Sequence, residues 1–227
     1  MRKILNIAHR GFTRDFPDNT IEAFKAALQL GVDGIEFDVQ ETADGEFVVF
    51  HDDEIDAVKI EYMSLEQVRL HLVDGKYKVP TFVESLVLCS GDILLLIELK
   101  TVKAIDRFLE ILRNHAALDR VVLASFSREI ISSLSRLAPD IMHALITDFA
   151  IDDPSKISSL SQSRFIGVHF SHLTENLVSA AHNRNLIVFV WGCADAGSVR
   201  KALSFDIDGI ISDFPDVVEE VLDDKSS

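Results

Sequence analysis

Eight short apolar runs alternate with segments of helical pattern along 227 residues, and most of the runs are continuous rather than alternating. Together these features predict an α/β protein built as one (β/α)8, or TIM, barrel over residues 1–227. Continuous apolar strands are those buried on both faces, as in a parallel sheet flanked by helices. The length is also ordinary for a single barrel. A doubly wound open sheet is the runner-up. Against it, the first run is followed by His9-Arg10-Gly11 and not by a glycine-rich dinucleotide fingerprint.

The eight runs fall at 4–8, 34–39, 94–99, 121–125, 142–146, 165–170, 187–191 and 209–212. A ninth, 47–50, is rich in β-branched and aromatic residues and is read as the hairpin partner of 34–39, because Asp44-Gly45 between them is a two-residue turn signal. With that pair at the turn, residue i faces residue 89 − i, which sets Asp38 opposite His51 with Glu36 on the same face. Between the strands, Asn19 followed by Glu22 reads as a capping box, with Gly31 as the stop. Ser64 with Gln67 repeats the pattern, and Ser127 and Thr174 read as caps for helices at 128–137 and 175–184. Further helices are expected near 82–89, 103–115, 155–161, 196–204 and 216–222. The interval 53–79 holds one helix and no barrel strand, so it is read as a short insertion after the strand-2 hairpin, on the catalytic face.

The net charge is −15, from 22 basic and 37 acidic side chains. That argues against a nucleic-acid partner, whose phosphates draw on clustered Lys and Arg, and against adhesion to anionic membranes. A phosphate-bearing small molecule would therefore need local cations or a metal to overcome the global field. Cys89 and Cys193 lack metal-ligand spacing and are expected as buried free thiols. The opening MRKILNIAHRG has too few apolar residues for a secretion signal, and no stretch approaches a membrane span. A cytoplasmic protein with no stable membrane anchor is expected; nothing marks an oligomer interface.

In a barrel of this kind chemistry gathers at the carboxyl ends of the strands. Strand one ends in His9 and Arg10, strand two carries Glu36 and Asp38, its hairpin partner ends in His51 and Asp52, and the third barrel strand ends in Glu98 and Lys100. The later ends are milder: Ser125, Thr147, His169, Ser171 and Trp191. A reaction centre on one side and a substrate wall on the other follow from this asymmetry. Glu98 interrupts an apolar run, and a lone buried carboxylate requires a cation, either Lys100 or a metal. Glu36, Asp38 and Glu98 together form an all-oxygen set that suits Mg²⁺, Ca²⁺ or Mn²⁺ better than zinc. His9 and His51 each can act as general acid or base near neutral pH. Arg10 can clamp a phosphate oxygen or pair with an acid, and Trp191 can pack in the core or form a substrate platform. Two histidines, a divalent metal, an Arg and a Lys fit cleavage of a phosphate ester.

The motifs AHRG (8–11), PDNT (17–20) followed by EAF, GVDGIEFDVQETADGEFVVFHD (31–52), VPTFVESL, LIELK (96–100) and the late VWG and DGIISDFPD resemble, in order and spacing, those of the glycerophosphodiester phosphodiesterases. The resemblance runs over nearly the whole chain and is most specific in its first half. It implies a barrel with a small inserted subdomain. It also implies Mg²⁺ or Ca²⁺ on Glu36, Asp38 and Glu98, His9 and His51 as the acid/base pair, Arg10 and Lys100 on the phosphate, and Asn19 ordering the site. The implied reaction, a step of lipid and glycerol metabolism, converts a diester such as glycerophosphocholine to an alcohol and glycerol 3-phosphate through a cyclic phosphate. Two departures stand out: Asp18 replaces the family's Glu, and the run after His51-Asp52 is DEIDAVKIEYMSLEQV in place of Leu-Asp-Arg-Thr-Thr, which bears on headgroup recognition. The alternatives are a lysophospholipase D acting at a lipid surface, for which Tyr62, Met63 and Leu65 offer an apolar rim, a non-catalytic phosphodiester-binding barrel, and a metal-dependent sugar isomerase. The last would need carboxylates on the later strands, which are poor in them.

Overall fold

The structure, a computed structural model, describes residues 3–151 and 163–226. Its strands are β1 (Leu5–His9), β2 (Gly34–Glu41), β3 (Phe47–Val49), β4 (Glu54–Ile55), β5 (Val58–Lys59), β6 (Leu72–Val73), β7 (Tyr77–Lys78), β8 (Leu94–Thr101), β9 (Val121–Ser125), β10 (Met142–Thr147), β11 (Phe165–His169), β12 (Ile187–Trp191) and β13 (Gly209–Ser212). The helices are α1 (Ile21–Leu30), α2 (Leu65–Leu70), α3 (Phe82–Leu88), α4 (Ile105–His115), α5 (Arg128–Leu137), α6 (Glu175–His182), α7 (Ala196–Ala202) and α8 (Pro215–Ser226). The helix expected at 155–161 lies outside the described residues.

β1, β2 and β8 to β13 pair in parallel in chain order, and β1 pairs with both β2 and β13, so the eight strands close into the expected barrel. Side chains of each strand alternate between two apolar layers. Ile35, Phe37, Val39, Ile97 and Leu99 belong to the large cluster that the helices cover. Ile7, Leu96, Val122, Ala144, Phe165, Phe189 and Ile211 form a second cluster inside the barrel. The polar residues Glu36, Asp38 and Gln40 fall on the inner face of β2, and Glu98 and Lys100 on that of β8, because each is two residues from the next.

Several helix starts match their sequence signals. Ser64 and Gln67 form a reciprocal capping box, and the Ser127 and Thr174 side chains accept from the N–H groups of Ile130 and Leu177. The first helix differs. Its cap is Thr20, whose hydroxyl accepts from Ala23 N–H, and Asn19 sits one residue earlier with φ +54. Asn19 is thereby released from capping, and its amide is used elsewhere.

The hairpin also differs from expectation. β2 and β3 pair Val39 with Val49 and Glu41 with Phe47, so residue i faces 88 − i, one residue short of the two-residue-turn register. The loop holds three residues between Thr42 and Glu46: Gly45 N–H donates to the Thr42 carbonyl, Thr42 N–H to the Glu46 carbonyl, and Gly45 takes φ +76. Thr42 selects this loop, because its hydroxyl donates to Asp44 Oδ1 at 2.6 Å and accepts from Glu46 N–H at 3.1 Å. Asp38 therefore stands beside Phe50, whose N–H donates to the Asp38 carbonyl, and His51 lies past the end of the ladder.

Between β3 and α3 the chain forms two small hairpins, β4–β5 and β6–β7, with α2 between them. Ile55, Ile60, Val68 and Val79 pack beneath this excursion against Val48 of β3.

The turn after β1 constrains one glycine sharply. Gly11 has φ +91, and a Cβ there would stand 2.7 Å from the Ala23 carbonyl carbon. Left-handed backbone and a collision with α1 combine at this position. Gly11→Ala is expected to lower the unfolding free energy by at least about 2 kcal/mol, measured by urea denaturation.

Candidate active site

Barrel closure and register bring the site together. In the pairing of β1 with β2, His9 is the partner of Glu36, and in that of β2 with β8, Asp38 is the partner of Glu98. On the other side of β1, Ala8 pairs with Ser212, so the next residues, His9 and Asp213, are neighbours across the seam that closes the barrel. His9 Nδ1 lies 2.6 Å from Asp213 Oδ1, which leaves Nε2 turned toward Glu36 Oε2 at 3.8 Å. Burial would raise the Asp213 pKa, but the His9 hydrogen bond and charge, with Arg10, outweigh it and hold it below the usual value. Asp213 is not among the site residues expected from the strand ends; it lies one residue past an apolar run, inside the late DGIISDFPD motif.

Glu36, Asp38 and Glu98 each offer a carboxylate oxygen, and the three lie within 4.8 Å of one another. All three are buried, Asp38 completely. Burial, then the Asp38 and Glu98 charges, push the Glu36 pKa well up, against the opposing pull of Arg10. Burial, then Asp38, push Glu98 up to about 7, with Lys100 and Arg10 opposing. Asp38 Oδ1 is buried and accepts no hydrogen bond. Three converging hard oxygens, two of them costly to ionise and a third with an orphaned atom, fit a divalent cation of the Mg²⁺ or Ca²⁺ type.

The cations and the amide surround this cluster. Arg10, itself at φ +56, donates its N–H to Glu36 Oε2 at 3.0 Å, places Nε 3.2 Å from Asp38 Oδ2 and bonds Asp18 Oδ2 at 3.1 Å. Lys100 Nζ stands 3.9 Å from Asp38 Oδ1. Asn19 Nδ2 donates to Asp38 Oδ2 at 2.8 Å, and Asp38 N–H donates back to Asn19 Oδ1. Asn19 is thus buried against a carboxylate and is not among the residues that line the cavity.

A cavity of 420 Å³ opens above the cluster; His9, Arg10, Glu36, His51, Glu98 and Lys100 line one side, and Phe126, Ile146, Phe189 and Trp191 the other. The division into a charged half and an apolar half follows the order of the strands. His51 reaches the cavity although the expected register fails, because the chain leaves the sheet after Val49. Its Nδ1 is 2.8 Å from Asp52 Oδ1. Trp191 meets Phe126 edge to face, and the His169 ring packs against it at 4.5 Å. A Cβ on Gly192, which has φ +81, would stand 2.5 Å from His169 Nε2, so this glycine permits the edge-to-face contact of His169 with Trp191. Cys89 and Cys193 are free and buried. Among the described residues no helix is long and apolar enough to cross a membrane.

The model of the glycerophosphoryl diester phosphodiesterase family matches residues 9–86 and 90–217 of this chain. A glycerophosphodiester phosphodiesterase of Caldanaerobacter subterraneus subsp. tengcongensis is 26% identical over 95% of this chain and 96% of its own. The solved glycerophosphodiester phosphodiesterase of Agrobacterium tumefaciens superposes with a TM-score of 0.81 at 27% identity, covering 96% of this chain and 99% of that one. A phosphodiesterase of Oleispira antarctica, solved with the product sn-glycerol-3-phosphate, shares the fold with a TM-score of 0.88 at 24% identity over 96% of both chains.

Proposed function

The chain belongs to the glycerophosphoryl diester phosphodiesterase family, and on that premise we propose that it hydrolyses small glycerophosphodiesters such as glycerophosphocholine to an alcohol and glycerol 3-phosphate in the cytoplasm. The observation that carries this reading is the single cavity in which His9, His51, Arg10 and Lys100 face the rim of a three-carboxylate cluster.

Glu36, Asp38 and Glu98 would hold Mg²⁺ or Ca²⁺, with Mn²⁺ a third candidate. Bound there, the cation would supply positive charge against the phosphoryl oxygens. Arg10 and Lys100 orient the phosphate from the same side. His9 and His51 divide the proton transfers: one takes the proton of the glycerol 2-hydroxyl as its oxygen attacks phosphorus, and the other protonates the departing alkoxide. Water then opens the cyclic phosphate, with the histidines exchanging roles. Asp213 on His9 Nδ1 keeps Nε2 as the reactive nitrogen. Asn19 orders Asp38, and Trp191 with Phe126 forms the apolar wall against which the glycerol or headgroup carbons rest.

The test is release of glycerol 3-phosphate from glycerophosphocholine and glycerophosphoethanolamine by the cation-loaded protein; release of neither overturns the reading. The exposed Tyr62, Leu70 and Leu72 of the excursion favour a second substrate class, lysophospholipids presented at a lipid surface. Cleavage of lysophosphatidylcholine to choline and lysophosphatidate, with no turnover of glycerophosphocholine, would establish that class instead.

A further inference from the structure

His51 occupies the cavity without a strand to hold it. β3 ends at Val49, and residues 51–53 form a bend before β4. What holds the bend is Gln40. Its side chain is buried on the inner face of β2, two residues beyond Asp38. Its Nε2 donates to the carbonyls of Phe50 at 2.9 Å, His51 at 3.4 Å and Asp52 at 2.8 Å. One amide thus gathers three consecutive carbonyls that have left the sheet.

The position is reached through an irregularity in the barrel. The pairing of β2 with β8 shifts between Val39 and Gln40, so that Asp38 pairs with Glu98 but Gln40 with Thr101. The same short stretch of β2 therefore supplies a carboxylate of the cluster and, past the shift, the donor that fixes the bend. A buried amide bonded to backbone carbonyls sets the position of a main chain with little slack, because leaving the buried donor unpaired is costly.

We propose that Gln40 is the positioning residue for His51: it touches no substrate, and it acts by holding the 50–52 backbone so that the His51 ring enters the cavity at a working distance from the phosphodiester. This rests on the reading of His51 as one of the proton-transferring pair. It assigns the third inward side chain of β2 to the histidine, where Glu36 and Asp38 serve the carboxylate cluster.

The test is a double-mutant cycle with glycerophosphocholine and the cation-loaded protein. Gln40→Met keeps the length of the side chain and removes the donor. It is expected to lower kcat tenfold or more with KM changed less than threefold. In the His51→Ala background the same substitution is expected to cost less than twofold, because the residue through which Gln40 acts is already gone. An equal loss in both backgrounds, or no loss in the first, overturns the proposal. Gln40→Glu, which replaces the donor with an acceptor, enters the same cycle if Gln40→Met does not fold. Imidazole NMR provides a readout free of activity: Gln40→Met should shift or broaden the His51 signals and leave those of His9 in place, and unmoved His51 signals overturn the proposal even if no diester is turned over. Full turnover in His51→Ala overturns it by a different route, since the failure then lies in the reading of His51 itself.

Discussion

His9→Ala and His51→Ala are each expected to reduce kcat for a glycerophosphodiester by about 10²–10⁴, with KM little changed, in steady-state assays of glycerol 3-phosphate release. The range is that of a single general acid or base removed from an otherwise intact site. Both variants should fold: His9 and His51 stand at the cavity rim, half-buried, and neither belongs to the apolar clusters. The double variant should lose little more than the less active of the two singles, because the proposed mechanism couples proton removal and proton delivery in one displacement. If either single variant keeps full turnover, the two do not act as a pair. The loss in His9→Ala should be shared in part by Asp213→Asn, which leaves the His9 ring in place but without its carboxylate partner at 2.6 Å.

The second large effect is on stability, and its sign depends on pH. Glu98 has a folded-state pKa of about 7 against an ordinary 4.5, with burial first and Asp38 second as causes, and Glu36 is shifted in the same direction. A carboxyl raised on folding binds its proton more tightly in the folded chain. Its stabilising contribution is complete below pH about 4.5 and is lost as pH rises through about 7. For Glu98 alone this loss is on the order of 3 kcal/mol. The chelated protein should therefore show a falling Tm between pH 5 and pH 8, a window set by the Glu98 values. Mg²⁺ or Ca²⁺ should restore it, by about 2.7 kcal/mol at a hundredfold excess over Kd. The gain in Tm on adding cation should be large at pH 8 and small at pH 5, where protons already occupy the carboxylates. A cation effect equal at the two pH values would contradict the assignment of the cluster as the binding site.

The eight barrel strands were legible because most are continuous apolar runs, the pattern that burial on both faces leaves. The cluster was legible for a related reason: Glu36, Asp38 and Glu98 stand out as acids inside such runs. The relations that tie the site together were not. The hairpin register turned on Thr42, whose hydroxyl stabilises a three-residue loop around the Asp44-Gly45 pair that by itself favours two. Asn19 carried a capping signal that Thr20 fulfils, and its partner Asp38 lies 19 residues away. Asp213 meets His9 across 204 residues, a contact that exists only because the last strand closes on the first. Gln40 lies one residue past the run expected at 34–39, and nothing in the local sequence marks it. Its role depends on where β3 stops and on a register shift with β8, and no local pattern encodes either. Local propensity marks elements and unusual burial; side-chain bonds between elements follow from topology.

The most direct measurement is glycerol 3-phosphate released from glycerophosphocholine by the chelated protein, by the same sample with Mg²⁺ or Ca²⁺ restored, and by Asp38→Asn under both conditions. Turnover that is absent with chelator, returns with cation and stays absent in Asp38→Asn is the expected result. Turnover that persists at the same rate in the chelated protein would contradict it, because the carboxylate cluster would then have no part in the reaction.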